Sequence, residues 1–253
     1  MKMHILSGGR VRMKKYIYVP DAAREEIIDL PVSCFLFRHP QGNVLFDTGC
    51  HPSVAENPEK RWGSLARAVV PTMAGDDNVV RELRRINLTP ADIDIVVNSH
   101  LHCDHCGCNE FFSKATIYVH ADELATVRDP NMEGKGYFQA DWKHPMPIIE
   151  INGEVDIFDD GRIVLLPLPG HTPGLTGLLA SLPNSGAYLL ASDAVAIREN
   201  LDLETIPKNT WNRDLQTKSV TRIKQIEKSG ATVVCGHDRS QWSAFKTAEE
   251  CYD

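Results

Sequence analysis

Ser99-His100-Leu101-His102-Cys103-Asp104-His105 packs three imidazoles and one carboxylate into six consecutive residues, His100 to His105. An apolar run, Ile93-Asp94-Ile95-Val96-Val97-Asn98, leads into it and reads as a strand that ends at the motif. A strand that stops in a tight loop aims His100 and His102 at one point and turns Asp104 and His105 toward a second point beside it. Neutral imidazole combined with carboxylate suits divalent Zn, Mn, Fe or Co. An ordinary polar loop has no need of so many ligand side chains so close together, so the segment reads as half of a metal centre.

The rest of such a centre is expected at the ends of other apolar runs. Ile163 to Pro169 leads into Gly170-His171-Thr172-Pro173-Gly174, Tyr188 to Ala191 into Ser192-Asp193-Ala194, and Thr232 to Cys235 into Gly236-His237-Asp238. Each is a short β-rich run, a small residue, then a lone His or Asp in a turn. One such His is weak evidence, because most are satisfied surface or core residues. Four strand ends carrying ligand types in one chain make a binuclear centre the simplest reading. Phe46-Asp47-Thr48-Gly49 closes another strand, and Asp47 there is expected to orient a ligand histidine rather than to ligate.

Composition narrows the alternatives. The chain has 253 residues, 42% of them hydrophobic and 24% charged, which is ordinary for a globular protein with a full core. A formal charge of −7 argues against nucleic acid held on a basic surface. No run approaches the roughly 20 apolar residues that span a bilayer, and Met1 to Tyr18 lacks the apolar core of a secretory signal. A membrane partner is therefore not expected. The seven cysteines, three of them (Cys103, Cys106, Cys108) inside the metal loop, fit a reduced, cytoplasmic setting. A thiolate zinc site built from those three would need a fourth partner, and no second Cys-x-x-Cys supplies one.

Along the chain, strands are expected at Met3 to Leu6, Tyr16 to Val19, Cys34 to Arg38 and Asn43 to Phe46, separated by Gly8-Gly9, Pro20-Asp21 and Pro40 to Asn43. Residues 51–78 read as a long irregular or helical connection that covers a site or an interface. Asn78 to Ile86 has helical periodicity, and Thr89-Pro90-Ala91-Asp92 opens another short helix. Thr116 to His120 reads as a strand, Ala121 to Arg128 as a helix, and 129–150 as an irregular stretch. Further strands are expected at 154–158, 162–168, 175–181 and 187–191, then an amphipathic helix Leu215 to Lys228 ending at Ser229-Gly230, and a last strand Thr232 to Cys235. Two strand-rich halves with helices outside and ligands from both suggest one α/β domain, residues 1–253, with the site along an edge of two packed sheets.

These residues together resemble the metallo-β-lactamase superfamily, and within it the quorum-quenching lactonases that open N-acyl homoserine lactones. The resemblance rests on Phe46 to Gly49, His100 to His105 with Gly107 and Asn109, Pro169 to Gly174, Asp193 and Gly236 to Asp238, and it spans nearly the whole chain. It implies an αββα sandwich with a dinuclear metal site at one edge. It further implies that His100, His102 and His171 hold one ion, that Asp104, His105 and His237 hold the other, and that Asp193 bridges them. The expected cofactors are two divalent ions, zinc first, with Co, Mn or Fe as alternatives. The activity implied is hydrolysis of a lactone by a metal-bridging hydroxide, with Asp104 also orienting the water. A small lactone is the expected partner, and the resemblance adds a homodimer with contacts from residues 51–78.

One position departs from the lactonase pattern. The family commonly has a tyrosine three residues after the bridging Asp, and this chain has Ala196. Tyr137 and His144 are the candidates to replace it, and Trp62, Met73, Phe138 and Trp142 are candidate walls of an acyl pocket. The alternatives are a thioester or ester hydrolase resembling glyoxalase II, or a metal-bound sensor that has lost catalysis. Against the first stands the short tail, residues 238–253, after His237. An exported β-lactamase, a nuclease and a flavodiiron-type redox protein fit less well, the last because His102 stands where such proteins carry Glu.

Overall fold

A computed structural model describes all residues, 1–253. Its strands are β1 (Lys2–Lys14), β2 (Ile27–His39), β3 (Gly42–Phe46), β4 (Val70–Pro71), β5 (Ile95–Val97), β6 (Thr116–His120), β7 (Ile148–Ile151), β8 (Val155–Asp156), β9 (Ile163–Pro167), β10 (Thr176–Leu182), β11 (Gly186–Ser192) and β12 (Thr232–Cys235). They form a seven-stranded sheet in the order β4-β1-β2-β3-β5-β6-β7 and a five-stranded sheet in the order β12-β11-β10-β9-β8.

Side-chain alternation explains why the two sheets face each other. In β2, Phe35 and Phe37 point into a central cluster with Met3, Ile5, Val44, Phe46 and Val97 of their own sheet and Leu165, Leu178, Leu190 and Val234 of the other. Their neighbours Cys34 and Leu36 point outward and pack with Leu6, Leu45, Val79, Leu83 and Ile93 under the helix Val79–Arg85. In the second sheet, Leu189, Ala191, Val233 and Cys235 face outward to Val220 and Ile223 of the helix Arg213–Lys228. The period of two thus buries both faces of each sheet, one against the other sheet and one under helices. Burying each of these large side chains is worth about 1.5–3 kcal/mol.

Several expected elements are in place: the helices over 79–85 and 121–128, β12, and the helix expected from Leu215, which begins at Arg213 with Asn212 as its cap. Others differ. Gly8-Gly9 does not end a strand; β1 runs through it and pairs with β2 in shifted register between Ser7 and Arg10. That shift is a bulge, and Gly9 takes it up at φ +109°. Gly8 meets Gly49 so closely that a Cβ at Gly49 would lie 2.4 Å from the Gly8 Cα. Tyr16 to Val19 is not a strand: Lys15–Ile17 is a 3-10 turn, and Tyr18 and Val19 both donate backbone N–H to the Lys15 carbonyl. The stretch 129–150 is not wholly irregular, because Ile148–Ile151 joins β6 as an edge strand. The short helices Arg198–Asp202 and Arg239–Ala244 carry too little apolar periodicity to be read from sequence.

Candidate metal centre

The residues of the His100 to His105 motif hang from the C-terminal end of β5, beside the ends of β3, β11 and β12. Their backbone is over-determined. Asp47 sits at φ +60° and Ser192 at φ +47°, left-handed conformations that non-glycine residues rarely adopt. Asp47 is held there by the Ser99 N–H, which donates to its Oδ1 at 2.7 Å, and by the Ser99 hydroxyl, which donates to Oδ2 at 2.8 Å. The same Oδ2 is 2.8 Å from His105 Nδ1. Asp47 therefore does what the sequence suggested, orienting one imidazole and its loop.

All seven residues anticipated as ligands meet in one place. His100, His102 and His171 form one group, Asp104, His105 and His237 a second, and His100, His105 and Asp193 a third that joins them. His100 Nε2 and His171 Nε2 lie 3.0 and 3.1 Å from His102 Nδ1, and His105 Nε2 lies 3.3 Å from His237 Nε2. Asp193 sits between the groups, Oδ2 3.3 Å from His171 Nε2 and Oδ1 3.0 Å from His237 Nε2. A tetrahedral ion with about 2.05 Å bonds spaces its nitrogens about 3.3 Å apart, close to these separations. Asp193 Oδ1 is enclosed with no well-directed donor, as a carboxylate oxygen aimed at a cation would be. The far nitrogens are also engaged: His237 Nδ1 with the Pro31 carbonyl at 2.9 Å and His100 Nδ1 with Ser99 Oγ at 3.0 Å. The donor set fits divalent metal.

Electrostatics point the same way. Burial, reinforced by neighbouring imidazoles, holds His100 and His102 far below the ordinary histidine value and so keeps them neutral. Burial also lowers His171. Burial would lower His105 too, but Asp104, Asp47 and Asp193 together push it up to about 10. Asp193 is held well below the carboxylate range: burial, which would raise it, is overcome by His237, His171 and His105. A cluster that shares protons among buried imidazoles and carboxylates in this way gives them up when a cation takes their place.

The three cysteines of the loop do not join this cluster. Cys106 Sγ bonds the Leu101 carbonyl and Cys108 Sγ the Cys50 carbonyl, and burial raises all three thiols.

A cavity of about 420 Å³ opens onto the centre, lined by His102, Asp104, His171 and Asp193. Its apolar lining includes Met13, Leu65, Val69, Met132 and Trp211, and Tyr18 lines it as well. The two long segments thus do contribute, but none of the four candidate wall residues is among the lining. Trp62, Met73 and Phe138 are buried together in a cluster with Cys50 and Val54, and Trp142 packs against Leu101, Leu124 and Val127. Trp62 and Phe138 fill the core, where burying their aromatic area contributes most. Tyr137 lines the cavity and its ring lies 4.5 Å from that of His102, but its hydroxyl donates to Glu123 at 3.0 Å. His144 is bonded to the Asp141 carbonyl and does not reach the cavity. Ala196 is buried in the cluster with Trp62 and Tyr18. Met13, Tyr18, Thr210 and Trp211 had no local signal in the sequence, since only the fold brings them to the cavity.

The metallo-beta-lactamase superfamily model matches residues 27–237. Over its full length the chain is 30% identical to the N-acyl homoserine lactonase AttM of Azorhizobium caulinodans, covering 99% of that protein. It is 31% identical to AttM of Agrobacterium fabrum, with 98% of that protein covered. A solved N-acyl homoserine lactone hydrolase, with the product N-hexanoyl-L-homoserine at its catalytic metal center, superposes with a TM-score of 0.89 at 26% identity. That match covers 99% of this chain and 98% of the other. The facing sheets, the ligand cluster at their edge and these likenesses agree, and the chain is a member of the metallo-beta-lactamase superfamily.

Proposed function

We propose that this protein is a metal-dependent hydrolase that opens the ring of N-acyl homoserine lactones. The observation that carries the reading is the convergence of His100, His102, His171, Asp193, Asp104, His105 and His237 beneath a half-apolar cavity. We assign His100, His102 and His171 to one divalent ion and Asp104, His105 and His237 to a second, with Asp193 shared and zinc the favoured metal. A bound ion pair supplies Lewis acidity and activates water near neutral pH. Asp104 exposes part of its carboxylate to the cavity, where it accepts a hydrogen bond from the attacking water and orients it. The wall formed by Met13, Leu65, Val69 and Met132 takes the acyl chain. Ligands arising from both sheets support treating residues 1–253 as one domain.

The test is hydrolysis by zinc- and cobalt-loaded protein of N-hexanoyl and N-dodecanoyl homoserine lactones, γ-butyrolactone and S-lactoylglutathione. We expect the acyl homoserine lactones to be opened selectively, and Asp193→Ala to lose both that activity and bound metal by elemental analysis. Turnover of the thioester alone would overturn the lactonase reading.

A further inference from the structure

Tyr18 is a buried phenol in an unusual position. It is 4% exposed, yet it lines the cavity together with Asp104, His171 and Asp193. Its hydroxyl has one partner, the Met13 sulfur at 3.3 Å, and a thioether is a weak acceptor. A buried phenol ordinarily finds an oxygen partner. Here a strong donor is left with a weak acceptor, and Met13 itself belongs to the cavity wall.

The backbone that carries Tyr18 is fixed from two sides. Its N–H donates to the Lys15 carbonyl at 2.9 Å, and its own carbonyl accepts from Asn200 Nδ2 at 2.8 Å. Asn200 in turn accepts the Ile197 N–H through Oδ1. The turn bearing Tyr18 is thereby pinned to the segment that leaves Asp193. Its ring packs in the cluster that holds Trp62, Phe138 and Ala196. Burial, with the carboxylates of Asp193 and Asp104 nearby, pushes the phenol well above its ordinary value, so it remains a donor at any working pH.

We propose that Tyr18 is a catalytic residue whose hydroxyl leaves the Met13 sulfur and donates a hydrogen bond to the lactone carbonyl oxygen as negative charge gathers there. No proton is transferred; the bond strengthens as the carbonyl carbon becomes tetrahedral, which is why it acts on rate more than on binding. The inference rests on the lactonase reading above.

The test is Tyr18→Phe, which keeps the ring packing and removes only the hydroxyl. With zinc-loaded enzyme and N-hexanoyl homoserine lactone, kcat should fall on the order of 10²-fold, as for other oxyanion donors, with KM changing only a few-fold. Zinc content and Tm should match the wild type, because the lost partner is a thioether. Affinity for the product N-hexanoyl-L-homoserine, measured by calorimetry, should weaken less than kcat does. A variant whose kcat stays within twofold of wild type overturns the assignment of Tyr18 and leaves the lactonase reading standing. So does a variant whose kcat loss tracks lost zinc or lost stability. A wild-type protein that opens no lactone overturns the lactonase reading, and this inference with it.

Discussion

Asp47 holds His105 through one oxygen and the Ser99 backbone through the other, from a left-handed backbone position that costs strain. Removing its carboxylate frees His105 to rotate and leaves the Ser99 N–H buried without an acceptor. Asp47→Ala is therefore expected to weaken metal affinity by about 10–100-fold, measured by competition against a chromophoric chelator. Unchanged affinity would show that the loop positions His105 without help. At this scale the sequence was most readable, for a physical reason. A metal needs several ligand types in a few turns, and such density at the ends of apolar runs has no common structural cause. Residues that serve the cavity by distance alone, such as Tyr18 and Thr210, share no such pattern.

The helix Ala121–Arg128 illustrates what an element does that its own sequence conceals. Glu123 lies in its first turn. In the fold it is fully buried and accepts the Leu101 N–H at 3.0 Å, the Gly174 N–H at 3.1 Å and the Tyr137 hydroxyl at 3.0 Å. One carboxylate thus joins the loop between His100 and His102 to the loop that follows His171. The approach is close enough that a Cβ at Gly174 would lie 2.4 Å from the Glu123 nitrogen. Glu123→Ala strands two backbone donors and a phenol inside the protein. It should lower unfolding free energy by about 3 kcal/mol in urea titrations, with Glu123→Gln milder because one carbonyl oxygen still accepts. A loss below about 0.5 kcal/mol would mean that water takes over those donors. The helix was legible from its periodicity, whereas its clamping role depends on partners 14 to 51 residues away.

On the scale of the molecule, the sandwich was legible because both sheets are built of apolar runs of strand length with turn residues between them. The edge strand Ile148–Ile151 was not, since Ile148, Ile149 and Glu150 are exposed and only Ile151 is buried. Its hydrogen bonds to β6, not a buried face, make it a strand. The same distinction bears on stability. The proposed ligands come from the ends of β5, β11 and β12 and from the turn between β9 and β10, so they draw on both sheets. Ions bound across these ligands bind only the folded chain, and their binding free energy adds to folding. With free zinc at about 100 times the dissociation constant of one site, that site alone contributes about 2.7 kcal/mol. For a chain of this length that corresponds to a rise in Tm of roughly 5–10 °C. Scanning calorimetry of the chelator-treated protein, with and without added zinc, measures it directly. If the ligands met only in a flexible surface loop, zinc would leave Tm unmoved. A rise that disappears in Asp193→Ala would locate the effect at the carboxylate between the two groups.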